Sequence, residues 1–356
     1  MKVAFVARPN LFTDPGGDTI QIKETAKALL ELGVEADILV NKVINYNQYD
    51  LFHFFNIIDP EDILGHLPRI KVPYVVSTIY VNYREYDKHH RSDIIGKLSQ
   101  LLPYNRVEYF KTLLKFILGN EKVSTLNFFI KGHKSSIQHI LEHCSCVLPN
   151  SESEYLRLKK DYHVSAKKHV VPNGVDKKFV KEFSQTERSI VLCVGRLEGR
   201  KNQLNVIRAL KNSPYNVVFI GLKSSNQKKY VDTCLAEATS NMKFIDHLPQ
   251  EELLEYYQKA RVHVLASWFE TTGLVNLEAA AMGCKLVLSN RGDVKDYFKH
   301  HAIYCEPNDL LSIKNSVDLA WNAPNDNELR QLVLENYTWE KAAIETKKAY
   351  VQIINP

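Results

Sequence analysis

Short apolar runs and helical patterns take turns along the whole chain, and that alternation narrows the possible folds more than any other feature. Val3–Ala7 reads as a strand, Gly16-Gly17 as a turn, Gln21–Leu32 as a helix stopped by Gly33, and Glu35–Val40 as the next strand. Strand, helix, strand in that order winds right-handedly into a parallel sheet. Further strand-like runs lie at Leu51–Phe55, Tyr74–Thr78, Cys146–Pro149 and His169–Val171, the last leading into the turn Pro172-Asn173-Gly174. A polar stretch, residues 176–188, precedes a fresh strand at Ile190–Val194, and the domain boundary is expected within it. The second half repeats the alternation, with strands at Asn216–Ile220, Lys243–Ile245, Val262–Ala266 and Leu286–Ser289 and a helix at Glu251–Lys259. The expectation is an α/β protein of two Rossmann-like, doubly wound domains facing a central cleft, residues 1–180 and 186–337. An amphipathic segment, Thr338–Ile354, follows, and its periodicity alone leaves open which domain it joins.

Length supports this division, because 356 residues exceed what one core usually holds together. Val3–Ala7 is too brief for a signal-peptide core, and no apolar run reaches the roughly 18 residues of a membrane span, so a cytoplasmic protein is expected. Six cysteines without Cys-x-x-Cys spacing point to buried free thiols. The net charge of +5 is uneven: Lys97 to Lys181 holds 15 Lys and Arg against 7 Asp and Glu, or +8, which leaves −3 elsewhere. Within it, Val107, Phe110, Leu114 and Leu118 recur at helical spacing beside Arg106, Lys111 and Lys115. Such a basic amphipathic helix either packs on its domain with the cations in water or lies on an anionic membrane surface.

The richest segment for chemistry is Ser267-Trp-Phe-Glu-Thr-Thr-Gly-Leu-Val-Asn-Leu-Glu278, which follows the apolar run Arg261–Ala266. Thr271, Thr272 and Gly273 offer a cap and a turn before the helical pattern of Leu274, Leu277, Ala280 and Ala281. The unpaired amides at about Gly273 and Leu274 would point at an anion. Glu270 before the turn and Glu278 two helical turns later would accept hydrogen bonds from sugar hydroxyls on either side of a diphosphate. A second cluster follows Ile190–Val194, where Gly195-Arg196 and Arg200-Lys201 set cations at the carboxyl end of a strand. Arg196 and Lys201 could clamp a diphosphate there. Gly16-Gly17 would let an anion approach a helix start, but no Gly-x-Gly-x-x-Gly is present, so a dinucleotide cofactor is not expected. His53, His89 and His90 read as surface or core histidines rather than catalytic bases, and nothing calls for a metal.

Taken in order, these residues resemble the group 4 retaining glycosyltransferases of two-domain, GT-B architecture. The likeness rests on Gly16-Gly17, Val171-Pro-Asn-Gly-Val-Asp176, Val194-Gly-Arg-Leu with Lys201, Leu253–Tyr257, Glu270 with Gly273-Leu-Val and Glu278, Gly283, and Tyr337-Thr-Trp-Glu340. It implies that Glu270 contacts the donor sugar and Glu278 the ribose. Arg196, Lys201 and the amides of Gly273 and Leu274 would hold the diphosphate, with Gly195 and Thr272 beside it. Asp246, His247 and Leu248 would meet the nucleobase. Gly17 would lie near the reaction centre in an acceptor-binding first domain, to which residues 338–356 would return. Two departures stand out: Thr271-Thr272 replaces a common Pro-Phe, and Tyr80 occupies the place of a common sugar-facing histidine.

The resulting expectation is a metal-independent, retaining hexosyltransferase that needs no cofactor. It would move a sugar from a nucleotide diphosphate sugar to a glycan or lipid-linked acceptor hydroxyl, in surface polysaccharide or glycolipid assembly, peripheral to the inner membrane face at most and without binding nucleic acid. Its rivals are a GT-B epimerase or phosphorylase, and a non-catalytic binder of membranes or nucleic acid working through the basic region.

Overall fold

The computed structural model describes residues 1–40, 44–91, 93–117, 127–176, 178–181, 187–324 and 326–355. It divides into two compact units: Met1–Gly174 with Trp339–Pro356, and Val175–Thr338. The seam therefore lies just ahead of the polar stretch in which composition sets it. The reason is a backbone pairing: Val175 N–H donates to Tyr337 O at 2.9 Å, and Val175 bridges Thr338. Entry and exit of the second unit are thus hydrogen-bonded to each other.

The first unit holds six parallel strands, β1 (Lys2–Val6), β2 (Glu35–Leu39), β3 (Leu51–Phe55), β4 (Tyr74–Ser77), β5 (Cys146–Val147) and β6 (Lys167–Lys168), in the order β2-β1-β3-β4-β5-β6. β3 is buried at every residue, as a parallel strand covered on both faces must be, which is why its sequence is a continuous apolar run rather than an alternation. His53 is the one polar member. It hydrogen-bonds to Ser77 Oγ at 2.8 Å and to Tyr350 Oη at 2.6 Å, and burial pushes its pKa down to about 3, so it stays neutral. Tyr350 belongs to the closing helix Trp339–Ile354, whose docking is settled by this bond, by Lys347 Nζ on Leu32 O at 2.7 Å and by His169 on Glu345 at 2.8 Å. Lys347 meets a carbonyl at the end of the helix Gly17–Glu31, where a cation is favoured. The sixth strand falls at Lys167–Lys168, ahead of His169–Val171, although His169 and Val171 continue the pairing through Val147 O and Pro149 O.

The second unit holds β7 (Ile190–Val194), β8 (Asn216–Ile220), β9 (Met242–Ile245), β10 (Ala260–Leu265), β11 (Lys285–Ser289) and β12 (Ile303–Cys305), all parallel, in the order β12-β11-β10-β7-β8-β9. Alternate residues of β7 serve opposite cores: Leu192 and Val194 face Leu254, Tyr257, Leu277 and Phe298, whereas Val191 and Cys193 face Val206, Ile207, Ile313 and Val317. The strand order reverses between β7 and β10, and crevices at such a switch point are where doubly wound sheets take ligands. β12 is missing from the sequence reading because a three-residue edge strand carries too little pattern. All six cysteines are buried free thiols.

Candidate functional site

At the switch point the chain leaves β7 through Gly195 and forms a short turn of helix, Gly199–Lys201. Two sets of bonds tie this turn to the segment after β10. Trp268 N–H donates to Arg200 O at 2.9 Å, and Asn202 Nδ2 donates to Ala266 O at 2.9 Å and to Pro307 O at 2.8 Å. The result is that Lys201 Nζ lies 2.6 and 3.2 Å from the two carboxylate oxygens of Glu270. The Glu270 side chain is 8% exposed and that of Lys201 23%, so the pair is largely desolvated yet reachable. Sequence reasoning sets these two residues on different parts of a ligand; the structure joins them to each other, 69 residues apart in the chain.

Glu270 is anchored from behind by Asp293 N–H on its carbonyl at 2.8 Å and by its bridge to Gly292. Gly292 has φ +88°, and a Cβ there would come within 2.0 Å of Glu270 O, so a side chain cannot be accommodated without moving the catalytic candidate.

The helix Leu274–Ala281 begins at Gly273, which has φ +64° and provides no side-chain cap. Its first amides are therefore available to an anion, and the helix dipole adds to the attraction. The turn is braced from inside the core. Asn276 Nδ2 donates to Thr272 O at 3.0 Å, which leaves Asn276 Oδ1 to accept from His263 Nε2 at 3.1 Å. Burial holds the His263 pKa down at about 4, so the ring is neutral with its proton on Nε2. Thr272, expected beside the donor, is fully buried, and Leu274 is half-buried. A Cβ on Gly273 would lie 2.4 Å from Asn276 Nδ2 and 2.8 Å from Glu270 Oε2. Gly273→Ala is expected to cost about 1–2 kcal/mol through its left-handed backbone alone. Urea denaturation measures this, and an unchanged midpoint would mean the turn has another conformation.

Glu278 is nearly buried, at 9% exposure. Tyr257 Oη donates to its Oε2 at 2.8 Å, and burial raises its pKa to about 7, against the smaller opposing effects of the Tyr257 bond and Lys178. Asp246 is exposed and ion-paired with Lys223 at 3.1 Å; with Gly195, Gly221 and Gln203 it lines a recess at the ends of β7, β8 and β9. His247 is exposed and Leu248 packs against the core, so only Asp246 of the three reaches that recess. Arg196 is half-buried, and its carbonyl accepts Gln203 Nε2 at 2.8 Å. Arg200 leans on Glu198 at 3.2 Å.

In the first unit, Gly17 is the exposed first residue of its helix, beside the Arg8–Asp18 ion pair at 2.6 Å. It belongs to a different unit from the cluster around Lys201. Tyr80, at the position of the common histidine, is buried, with its amide on Glu154 at 2.9 Å and its hydroxyl on Asp161 at 2.7 Å. Ile79 beside it has φ +43°, a strained conformation for a β-branched residue. Of the proposed membrane-facing cations, Lys111 is neutralised by Asp87 at 2.9 Å and Glu108 at 2.7 Å, Arg106 is exposed, and the Lys115 side chain lies outside the described residues, as does Leu118. Among the described residues no helix is long and apolar enough to cross a membrane.

Sequence reasoning passes over three features. His263 and Asn276 leave no local signal, since their bond joins a strand to a helix. Tyr257 acts on Glu278 across the core in the same way. The third, an i,i+4 histidine pair at His139 and His143, is visible in the sequence.

Residues 174–336 match the family model described as "Glycosyl transferases group 1". A glycogen synthase of Mycobacterium tuberculosis is 28% identical over 197 residues, 51% of this chain and 48% of that protein. An uncharacterized glycosyltransferase of Methanocaldococcus jannaschii is 28% identical over 177 residues, 47% of this chain and 45% of that one. The chain thus spans about half the length of the curated relatives it matches. Among solved structures, sucrose-phosphate synthase from Thermosynechococcus elongatus superposes with a TM-score of 0.75 at 16% identity, covering 100% of this chain and 99% of that one. An Anabaena protein solved with UDP and glucose gives 0.67 at 15%, covering 99% and 100%. Likeness at these identities speaks for the fold, two parallel six-stranded sheets in a GT-B arrangement. The likeness to the glycosyl transferases of group 1 thus rests on the second unit.

Proposed function

We propose that this protein is a retaining glycosyltransferase that moves a hexose from a nucleoside diphosphate sugar to an acceptor hydroxyl in polysaccharide or glycolipid assembly. The observation that carries the reading is the Lys201–Glu270 pair beside the uncapped start of Leu274–Ala281, at the sheet's switch point. On binding, Lys201 turns from Glu270 toward the diphosphate, and Glu270 becomes an acceptor for sugar hydroxyls. As the bond from the anomeric carbon to the phosphate oxygen breaks, that oxygen gains charge and takes the acceptor's proton, while the acceptor oxygen bonds to the same face of the sugar. Lys201, Arg196 and the helix dipole stabilise the leaving diphosphate, so neither a protein base nor a metal is needed for charge balance. Glu278 holds the ribose, and Asp246 borders the recess for the base.

The test is thermal unfolding with a panel of nucleoside diphosphate sugars in EDTA, followed by transfer assays with the best donor. A donor at a hundred times its Kd should raise stability by about 2.7 kcal/mol. Activity should persist in EDTA. No stabilisation by any nucleoside diphosphate would refute the reading, and loss of turnover restored by Mg²⁺ or Mn²⁺ would refute metal independence. Inorganic phosphate consumed with release of sugar phosphate would favour a phosphorylase instead.

A further inference from the structure

The helix His133–His143 in the first unit carries His139, Glu142 and His143, whose ligand-capable atoms all lie within 4.8 Å of one another. Spacing of three and four residues sets them on one helical face, half-buried at His139 and exposed at the other two. Proximity alone would be weak, but the surroundings also preset the donors. His143 Nδ1 donates to His139 O at 2.9 Å, which fixes its tautomer with the Nε2 lone pair directed outward. A metal-bound imidazole is typically oriented by such a bond from its other nitrogen to a carbonyl. Glu142 is steered as well. Gln138 Nε2 donates to its Oε1 at 3.1 Å, and Gln138 is itself held by the backbone of His163, with both bonds at 3.0 Å.

Two imidazoles and one carboxylate suit a borderline first-row dication, whereas calcium and magnesium favour sets made of oxygen. We propose that His139, Glu142 and His143 form a binding site for such a dication, with Zn²⁺ the natural probe and water completing its coordination. Three protein donors on one helix make an open site, and Lys131 nearby opposes the metal's charge, so binding is expected to be reversible. The six cysteines are buried and do not compete.

Isothermal titration calorimetry of the tag-free full chain with Zn²⁺ tests this. One Zn²⁺ per chain should bind at pH 7.5. His143→Ala, at an exposed position, should weaken it at least about tenfold, and Gln138→Ala should weaken it by about as much although Gln138 donates nothing to the metal. Circular dichroism should confirm that the variants remain folded. Absence of Zn²⁺ binding by the wild type would overturn the site, and so would undiminished binding by His139→Ala/His143→Ala, which would point to His89–His90 or His300–His301.

Discussion

Replacing Lys201 with alanine is expected to lower kcat about a hundredfold at saturating donor and to destabilise the protein as well. The catalytic effect follows from where charge grows: a preorganised cation that meets the leaving diphosphate is worth on the order of 3 kcal/mol in the transition state. Stability falls for a separate reason. Glu270 would keep its buried carboxylate without the ammonium now 2.6 Å away. Breaking a fully buried pair costs about 3–5 kcal/mol, and the partial exposure of Lys201 reduces the expectation to about 2 kcal/mol. Arg196→Ala should lose a similar factor in kcat at little cost in stability. A double variant, Lys201→Ala/Glu270→Ala, should regain stability but not turnover, because it removes the orphaned charge and leaves the chemistry unaided. Near-wild-type kcat in both single variants would remove the clamp from the mechanism.

Glu278→Gln should change how stability depends on pH. The folded pKa of Glu278 is about 7, against 4.5 for an unstrained glutamate. Between those values the unfolded chain gives up its proton while the folded protein keeps it. Stability from this group is therefore fully present below about pH 4.5 and is lost as pH rises through 7. The difference amounts to roughly 3 kcal/mol. The glutamine variant, which cannot ionise, should match the wild type near pH 4.5 and exceed it at pH 8 in chemical denaturation. Nucleoside diphosphate affinity should move the other way in the wild type, rising from pH 6 to 8 as the carboxylate ionises, and stay flat in the variant. Parallel stability curves for the two proteins would contradict the assignment.

Continuous apolar strands such as Leu51–Phe55 and Ile190–Val194 were legible because burial on both faces of a parallel sheet leaves no other composition available. The turn at Gly273 was legible because a left-handed residue before a helix calls for glycine. Less could be read of how the site is wired. The contact of Lys201 with Glu270 depends on Trp268 reaching Arg200, and Tyr257 meets Glu278 only once two helices pack on one sheet face. Such partners are chosen by tertiary packing, which spacing does not encode. The helix Trp339–Ile354 shows the same limit: its periodicity announces a helix, while its docking is decided by Tyr350 finding His53, 297 residues earlier.

That last bond has a bearing on how the protein is born. At about 5–20 residues per second, synthesis of the 297 residues between His53 and Tyr350 takes roughly 15–60 s. Throughout that interval β3 carries a buried-type histidine without its tyrosine, and the end of the helix Gly17–Glu31 lacks Lys347. The second unit, by contrast, is contiguous and closes on itself once Thr338 is made, through the pairing with Val175. Of the two units, the one whose synthesis starts earlier is thus completed later.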